Sequence, residues 1–369
     1  MASFRTVGQP TALAAVRRAV ATVRPPHALL LVGPDHVGKT TLAFDLGAGL
    51  LCLSPDAATR PCRECPACRK VDNGNHPDLH VVSPEGAGQQ IRVGQIQALA
   101  SDLALLPLEG RFRIALIENA HRLNVDAQNA LLKTLEEPPV AVVLVLAASD
   151  SVALLPTVAS RCVRLRLGPV DSETIGAFLV AAERADSARG TTLGRLAGGR
   201  PGIALRLASD PEAVLVYGRL ARTLLGLADT GRRRRLAAQA ELLADGARLA
   251  AAASGAIDDG GNEGETAGPA KGTRRISPAE RRAAVIQVLA VWRDVARDLA
   301  VAARGGRREL RLHDLLDELV ETGAAVNPAQ AATFLDRLDA MSRAVDAYAN
   351  PELALDALLI EWPQRRQAA

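Results

Sequence analysis

Aromatic residues are nearly missing from this 369-residue chain, at 2% of the total. Its cores must therefore be built from Leu, Val and Ala, and a surface devoted to stacking nucleic-acid bases is not expected. Long apolar runs are missing as well. The longest, Val140 to Ala148, has nine residues, about half of what a spanning helix needs, so no transmembrane helix is expected. The first ten residues carry no apolar stretch before Pro10, so no secretory signal is expected and the expected location is the cytoplasm. An excess of charge of one sign is also lacking. Lys plus Arg is 44 and Asp plus Glu is 41, a net of +3. Any attraction to DNA must then be local or shared with partners. Cysteine is sparse at five residues, and a reducing compartment argues against disulfides. Hydrophobic residues nevertheless make up 48% of the chain. That is enough for sizeable cores, it excludes wholesale disorder, and the length fits two or three compact units.

The organisation changes along the chain. Apolar runs at about His27 to Val32, Leu79 to Ser83, Phe112 to Ile117, Val140 to Ala147 and Val163 to Leu167 alternate with helical patterns. That alternation predicts a doubly wound α/β domain with a parallel sheet. Ala127, Ala130, Leu131 and Leu135 repeat at helical spacing, and Pro138 with Pro139 ends that helix. From Ser172 the strand signal disappears. Short amphipathic helices at Ser172 to Glu183 and Thr191 to Ala197 predict a small helical domain. Ala, Leu and Arg-rich patterns at Glu212 to Leu227, Arg232 to Ala253, Pro278 to Arg304, Leu312 to Thr322 and Pro328 to Tyr348 predict an all-helical third domain. The expected boundaries are 1–169, 170–208 and 209–369. Residues 254–274 hold glycines and acids with almost no large apolar residue, which predicts a disordered loop inside the last domain.

Two motifs carry chemistry. Gly33-Pro34-Asp35-His36-Val37-Gly38-Lys39-Thr40 fits G-x-x-x-x-G-K-[ST], directly after an apolar strand and directly before the helical run that starts at Thr41. Such a loop surrounds phosphates with backbone N–H groups, aims Lys39 at the β and γ phosphates, and offers the Thr40 hydroxyl to Mg²⁺. The expected nucleotide-binding residues are Gly33, Gly38, Lys39, Thr40 and Thr41, with Glu118 at the end of the Phe112 to Ile117 strand holding the metal shell. Asn119, next to it, can orient a water but cannot accept its proton. The second motif is Cys62-x-x-Cys65-x-x-Cys68 with Cys52 upstream, four thiolates that can close a tetrahedral, structural zinc site. His76 or His80 is an alternative fourth ligand to Cys52. The Arg232 to Arg235 run and the Arg304 to Arg308 cluster read as solvated faces.

The phosphate loop, the cysteine module followed by His76-Pro77-Asp78, the string Asn129-Ala130-Leu131-Leu132-Lys133-Thr134-Leu135-Glu136-Glu137-Pro138-Pro139, and Ser160-Arg161-Cys162 together resemble bacterial clamp-loader AAA+ subunits of DNA polymerase III. The motifs span residues 4 to 168. The resemblance implies a P-loop AAA+ domain bearing zinc, a small helical lid and a helical collar. Two subunit types share these motifs, the gamma/tau motor and delta-prime. The Ala120-His121 register puts Asn119 where the motor has its catalytic Glu, Gly202 aligns with the motor's second-sensor Arg, and the chain stops after one helical domain. These features favour delta-prime, although the phosphate loop is intact.

The resemblance further implies ATP or ADP with Mg²⁺ in the loop and weak or absent hydrolysis by the chain itself. It makes Arg161 a catalytic arginine finger acting in trans on a neighbouring subunit, and Lys133 a candidate for a phosphate contact. The implied partners are gamma/tau and delta in a pentameric ring, the β sliding clamp, and primed DNA through the assembled complex, with no membrane. The alternative is that the chain is itself a gamma/tau-like ATPase motor; a third reading is a stand-alone zinc-dependent DNA-binding module with a vestigial nucleotide site. Removal of the zinc is expected to cost little nucleotide affinity.

Overall fold

The structure, a computed structural model, describes residues 2–85, 89–149, 153–255, 277–346 and 349–364. It divides into two compact units. The first comprises residues 1–181 with 199–203, and the second comprises 182–198 with 204–369. The elements in chain order are α1 (Pro10–Thr22), β1 (Ala28–Val32), α2 (Lys39–Leu51), α3 (Pro66–Asp72), β2 (Leu79–Val82), α4 (Val93–Leu103), β3 (Arg113–Ile117), α5 (Val125–Glu136), β4 (Val142–Ala148), α6 (Pro156–Ala159), β5 (Val163–Arg166), α7 (Ser172–Ala181), α8 (Ser187–Leu196), α9 (Pro201–Ser209), α10 (Pro211–Gly226), α11 (Arg232–Ala237), α12 (Gln239–Gly255), α13 (Pro278–Ala302), α14 (Leu316–Ala325), α15 (Pro328–Asp346) and α16 (Pro351–Glu361).

The first unit is built on a five-stranded sheet in the order β2-β3-β4-β1-β5, with every pairing parallel. Successive side chains of a strand point to opposite faces, and both faces here are covered, so β1, β3 and β4 are apolar at nearly every position. Leu29 and Leu31 of β1 join Leu42, Leu46, Ile114, Leu116, Val143 and Val145 in one core. Ala28 and Leu30 join Ile96, Leu99, Ala115, Ile117, Leu131 and Leu144 in the other. The doubly wound α/β fold expected from the sequence is what forms. β4 starts two residues later than the apolar run suggests, because Ala141 has φ 64 and Val140, 88% exposed, lies outside the sheet. The helix of the Asn129 to Glu137 string is α5. The Asn124 side chain caps its start by accepting from Ala127 N at 2.8 Å, and Pro138 follows its end.

The described residues of the second unit form helices and the turns between them, with no strand. Its longest helix, α13, begins with a reciprocal capping box, in which Glu280 N donates to Ser277 Oγ at 3.2 Å and Ser277 N donates to Glu280 Oε2 at 2.7 Å. Three of the few aromatics meet in its core, Trp292, Phe334 and Trp362, with ring centroids 4.7 to 5.5 Å apart.

Two expectations need correction here. The Arg232 to Ala253 pattern is not one helix: α11 stops at Ala237, with Ala238 as its C-cap, and α12 starts at Gln239. Nor is the arginine run wholly solvated. Arg235 is fully buried, donating Nε to Leu227 O and Thr230 O at 3.0 Å, Nη1 to Trp362 O, and Nη2 to Pro363 O at 3.4 Å. The pattern read at Leu312 to Thr322 resolves into a 3₁₀ turn at His313–Leu315 followed by α14. Helix α12 runs to Gly255, and the remainder of the expected loop at 254–274 lies outside the described residues, as does Tyr348. No helix among the described residues is long and apolar enough to cross a membrane.

Candidate functional sites

The phosphate-loop sequence leaves the carboxyl end of β1 and turns into α2, the place where ligands sit in open α/β sheets. Gly38 makes the turn at φ 104, a conformation closed to ordinary side chains. Lys39 opens α2 and is buried. Its ammonium lies within the loop, donating to Gly33 O at 2.6 Å and Pro34 O at 2.8 Å and pairing with Asp35 Oδ1 at 3.3 Å. Burial pulls the Lys39 ammonium below the ordinary lysine value, and Asp35 offsets part of that pull. An ammonium donates charge-assisted hydrogen bonds of the kind that phosphate oxygens accept. Thr40 and Thr41 follow on the first turn of α2, both half-buried.

Behind the loop, Gly202 N donates to His36 O at 3.0 Å, and a Cβ on Gly202 would lie 3.2 Å from His36 Cβ. Gly202, the position expected from the resemblance to replace a second-sensor arginine, thus makes a backbone contact on the loop. Gln9 braces the same loop from another side. Its Nε2 donates to Gly168 O at 2.7 Å and to Val37 O at 3.5 Å.

At the end of β3, Glu118 is half-buried and accepts from Ser83 Oγ at 2.8 Å. Asn119 is exposed, with φ 49 and ψ 45, and its carbonyl accepts from Arg122 N at 2.7 Å to close a 3₁₀ turn. Asn is among the few residues that tolerate this left-handed conformation, so its presence also has a backbone reason. Sequence reading missed Ser149, which follows β4. Its Oγ lies 3.3 Å from both ring nitrogens of His121. The available signal was a polar residue ending a wholly apolar strand.

The four cysteines Cys52, Cys62, Cys65 and Cys68 come together, with all four Sγ atoms within 4.8 Å of one another. The Cys52 and Cys62 sulfurs are 3.6 Å apart. Zinc–sulfur bonds of about 2.3 Å in a tetrahedron place the sulfurs about 3.8 Å apart, so four thiols gathered this closely suit the ion in number, chemistry and approximate spacing. Backbone N–H groups already point at three of the sulfurs: Ser54 N at Cys52 (3.5 Å), Cys65 N at Cys62 (3.4 Å) and Cys68 N at Cys65 (3.4 Å). Burial raises the Cys62 thiol, but the N–H groups of Glu64 and Cys65 and the neighbouring thiols outweigh it and bring it down to about 7. Burial pushes Cys52 and Cys68 up. His76 and His80 lie outside the cluster. His76 Nδ1 accepts from Asp78 N at 3.1 Å, and His80 faces Asp102 and Arg113.

Arg161 sits just after α6, on the surface. Its guanidinium donates to Thr157 O at 2.9 Å and pairs with Glu136 of α5 at 2.7 Å, the two side chains being 36% and 50% exposed. Lys133, on the same helix, is exposed.

The profile of the family described as "DNA polymerase III, delta subunit" matches residues 8–171. The chain is 45% identical over 138 residues to the DNA polymerase III delta-prime subunit of Pseudomonas aeruginosa, covering 37% of this chain and 42% of that protein. It is 34% identical over 167 residues to the delta-prime subunit of Bacillus subtilis, covering 45% and 50%. It is also 38% identical over 169 residues to the DNA polymerase III tau subunit of Escherichia coli, covering 46% and 26%. The chain thus spans half or less of the length of these relatives.

Proposed function

We propose that this chain, whose residues 8–171 match the family described as "DNA polymerase III, delta subunit" and resemble delta-prime and tau subunits, acts as a delta-prime-like subunit of a replicative clamp loader. In this reading it binds ATP or ADP with Mg²⁺ through Gly33, Gly38, Lys39, Thr40 and Thr41, with Glu118 in the metal shell, and hydrolyses it slowly or not at all. The observation that carries the reading is the end of β3: a carboxylate at Glu118 is followed by an exposed carboxamide at Asn119. A carboxamide can hold an attacking water by hydrogen bonds, but it has no basic site to take the proton. The nucleotide is then a ligand that tightens the loop rather than a substrate turned over at speed.

Arg161 supplies chemistry to the neighbour. An exposed ion pair such as Arg161–Glu136 is worth at most about 1 kcal/mol. Glu136 therefore holds the guanidinium extended on the surface yet surrenders it cheaply to a phosphoryl group presented by another subunit. A guanidinium there stabilises the charge that spreads over the transferring phosphoryl, an effect of about 10³ to 10⁵ in rate. Cys52, Cys62, Cys65 and Cys68 would hold one zinc with no open position, a structural ion that ties the 52–68 loop to α2 and α3. Gamma/tau and delta subunits in a pentameric ring, the β sliding clamp and primed DNA are the partners in this proposal, reached by the assembled complex in the cytoplasm.

A second reading, in which the chain is itself a gamma/tau-like motor, has one observation in its favour: the phosphate loop is complete and Lys39 is caged within it. Single-turnover phosphate release by the isolated chain at saturating ATP separates the two. The delta-prime reading expects release at least about 10³-fold slower than by the assembled ring. Release at the rate of the ring would establish the motor.

A further inference from the structure

The cysteine module reaches into the nucleotide-binding unit through Arg63. This residue lies between the ligand pair Cys62 and Cys65, and its backbone has φ 63, a conformation that L-residues with long side chains rarely adopt. The side chain is 10% exposed and leaves the module altogether. Nη2 pairs with Asp45, Nη1 pairs with Asp72, and Nε donates to Ser3 O at 3.0 Å. All three nitrogens are therefore committed to groups outside residues 52–68.

Asp45 is the important partner. It lies on α2, the helix that Lys39 begins, and is fully buried. Its carboxylate also accepts from Arg5 N at 3.0 and 3.1 Å, from Thr6 N at 2.9 Å and from Thr6 Oγ1 at 2.6 Å. Burying a carboxylate is costly unless its charge is compensated as well as hydrogen-bonded, and Arg63 supplies that compensation to Asp45. The segment that Asp45 holds continues to the phosphate loop. Thr6 Cγ2 is the atom nearest to where a side chain on Gly38 would start, and Gln9 donates to Val37 O. The other end of the segment is tied to the module, Ser3 N donating to Pro61 O at 2.9 Å. Residues 3–9 therefore run as a strap from the cysteine module to the back of the phosphate loop, fastened in the middle by Asp45.

We propose that occupancy of the cysteine site and occupancy of the nucleotide site are coupled through Arg63. The filled metal site fixes the left-handed turn that aims Arg63, and Arg63 neutralises Asp45. Asp45 then holds residues 5 and 6, and with them the rear wall of the phosphate loop. Metal binding therefore raises nucleotide affinity, and nucleotide raises metal affinity by the same factor, as linkage requires. This reverses the expectation from sequence that zinc could be removed at little cost to nucleotide binding. The inference rests on the nucleotide and zinc reading above, and the controls below separate its failure from the failure of that reading.

The test uses the full chain loaded with one zinc, titrated with N-methylanthraniloyl-ADP and Mg²⁺. Stripping the zinc should weaken that affinity at least about fivefold, the lower end of ordinary site-to-site coupling. Arg63→Gln should keep its zinc by elemental analysis, bind the nucleotide at least about fivefold more weakly, and show no further loss when stripped. In the reverse direction, saturating nucleotide should raise zinc affinity, measured by competition with a chromophoric chelator, by the factor found in the first titration. A change below fivefold in a chain that binds both ligands overturns the coupling, as does an Arg63→Gln variant that remains as zinc-sensitive as the wild type. Should the stripped chain lose its fold by circular dichroism, the zinc-loaded Arg63→Gln protein decides alone. A zinc-loaded wild type that binds no nucleotide would overturn the underlying reading instead.

Discussion

Replacing Arg235 by alanine should destabilise the helical unit by about 3 kcal/mol. The side chain is fully buried, and its four acceptors are main-chain carbonyls. Leu227 O keeps two other donors after the substitution, Thr230 N at 3.2 Å and Thr230 Oγ1 at 3.1 Å. The carbonyls of Thr230, Trp362 and Pro363 lose the guanidinium, at about 1 kcal/mol for each neutral group left to find another partner. Lost burial of the alkyl stem and recovered hydration of the charge act in opposite directions and are of comparable size. The assay is unusually clean, because both tryptophans of the chain, Trp292 and Trp362, lie in this unit and pack at 5.4 Å between centroids. Urea unfolding followed by tryptophan emission therefore reports this unit and not the sheet. With a slope of about 2 kcal/mol per molar, the midpoint should fall by about 1.5 M. Arg235→Met keeps the stem and should fall nearly as far. A midpoint within about 0.5 M of the wild type would show that the buried guanidinium adds little to the anchoring of residues 362–363, and would refute the reasoning.

Arg161→Ala should leave nucleotide binding by the chain unchanged while slowing ATP turnover by a reconstituted ring about 10³-fold or more; an unaffected ring would remove the finger role. Asp78 gives a pH signature: burial raises its carboxyl, but the N–H groups of Leu108, Gly110 and Glu109 outweigh burial and hold it below the ordinary 3.8. A folded pKa below the unfolded one contributes stability above about pH 4 and loses it as the pH falls through the folded value. Asp78→Asn should therefore cost about 2 kcal/mol at pH 7 and progressively less toward pH 3 in thermal melts, whereas an offset independent of pH would refute this account. Asn119→Glu should introduce measurable phosphate release by the isolated chain at a cost of about 1 kcal/mol in stability, since Glu lacks the tolerance of Asn for φ 49. A folded variant that remains silent would mean that Asn119 is there for the turn alone.

What could be read in advance was whatever the chain encodes over short distances. The phosphate loop occupies eight consecutive positions, and the cysteines fall close together with a repeating x-x spacing. β1 and β4 announce themselves because strands buried on both faces are apolar throughout. What stayed hidden depends on partners far along the chain. Asp45 and Arg63 are 18 residues apart, His121 and Ser149 are 28 apart, and Arg235 and Trp362 are 127 apart. No local pattern distinguishes the arginine that turns inward from its three neighbours in the run. The fourth candidate ligand shows the intermediate case. Spacing alone allowed Cys52, His76 or His80; it is Cys52 that the fold brings to the other three cysteines, because it is the C-cap of α2 and packs in the core with Cys68 and Val71.

The same contrast explains why the two sites look independent in sequence and connected in space. Residues 3–9 and the cysteine module are separated by the whole of α1, β1 and α2, so the strap between them exists only once α2 has folded and Asp45 has gathered Thr6 and Arg63 around it. Asp45 reads in sequence as an unremarkable acid on an apolar helix. Its burial is the informative feature, because a carboxylate at that depth is tolerated only with its partners in place. Any sequence change that moves Arg63 should therefore be felt first at the nucleotide loop and only afterwards at the metal.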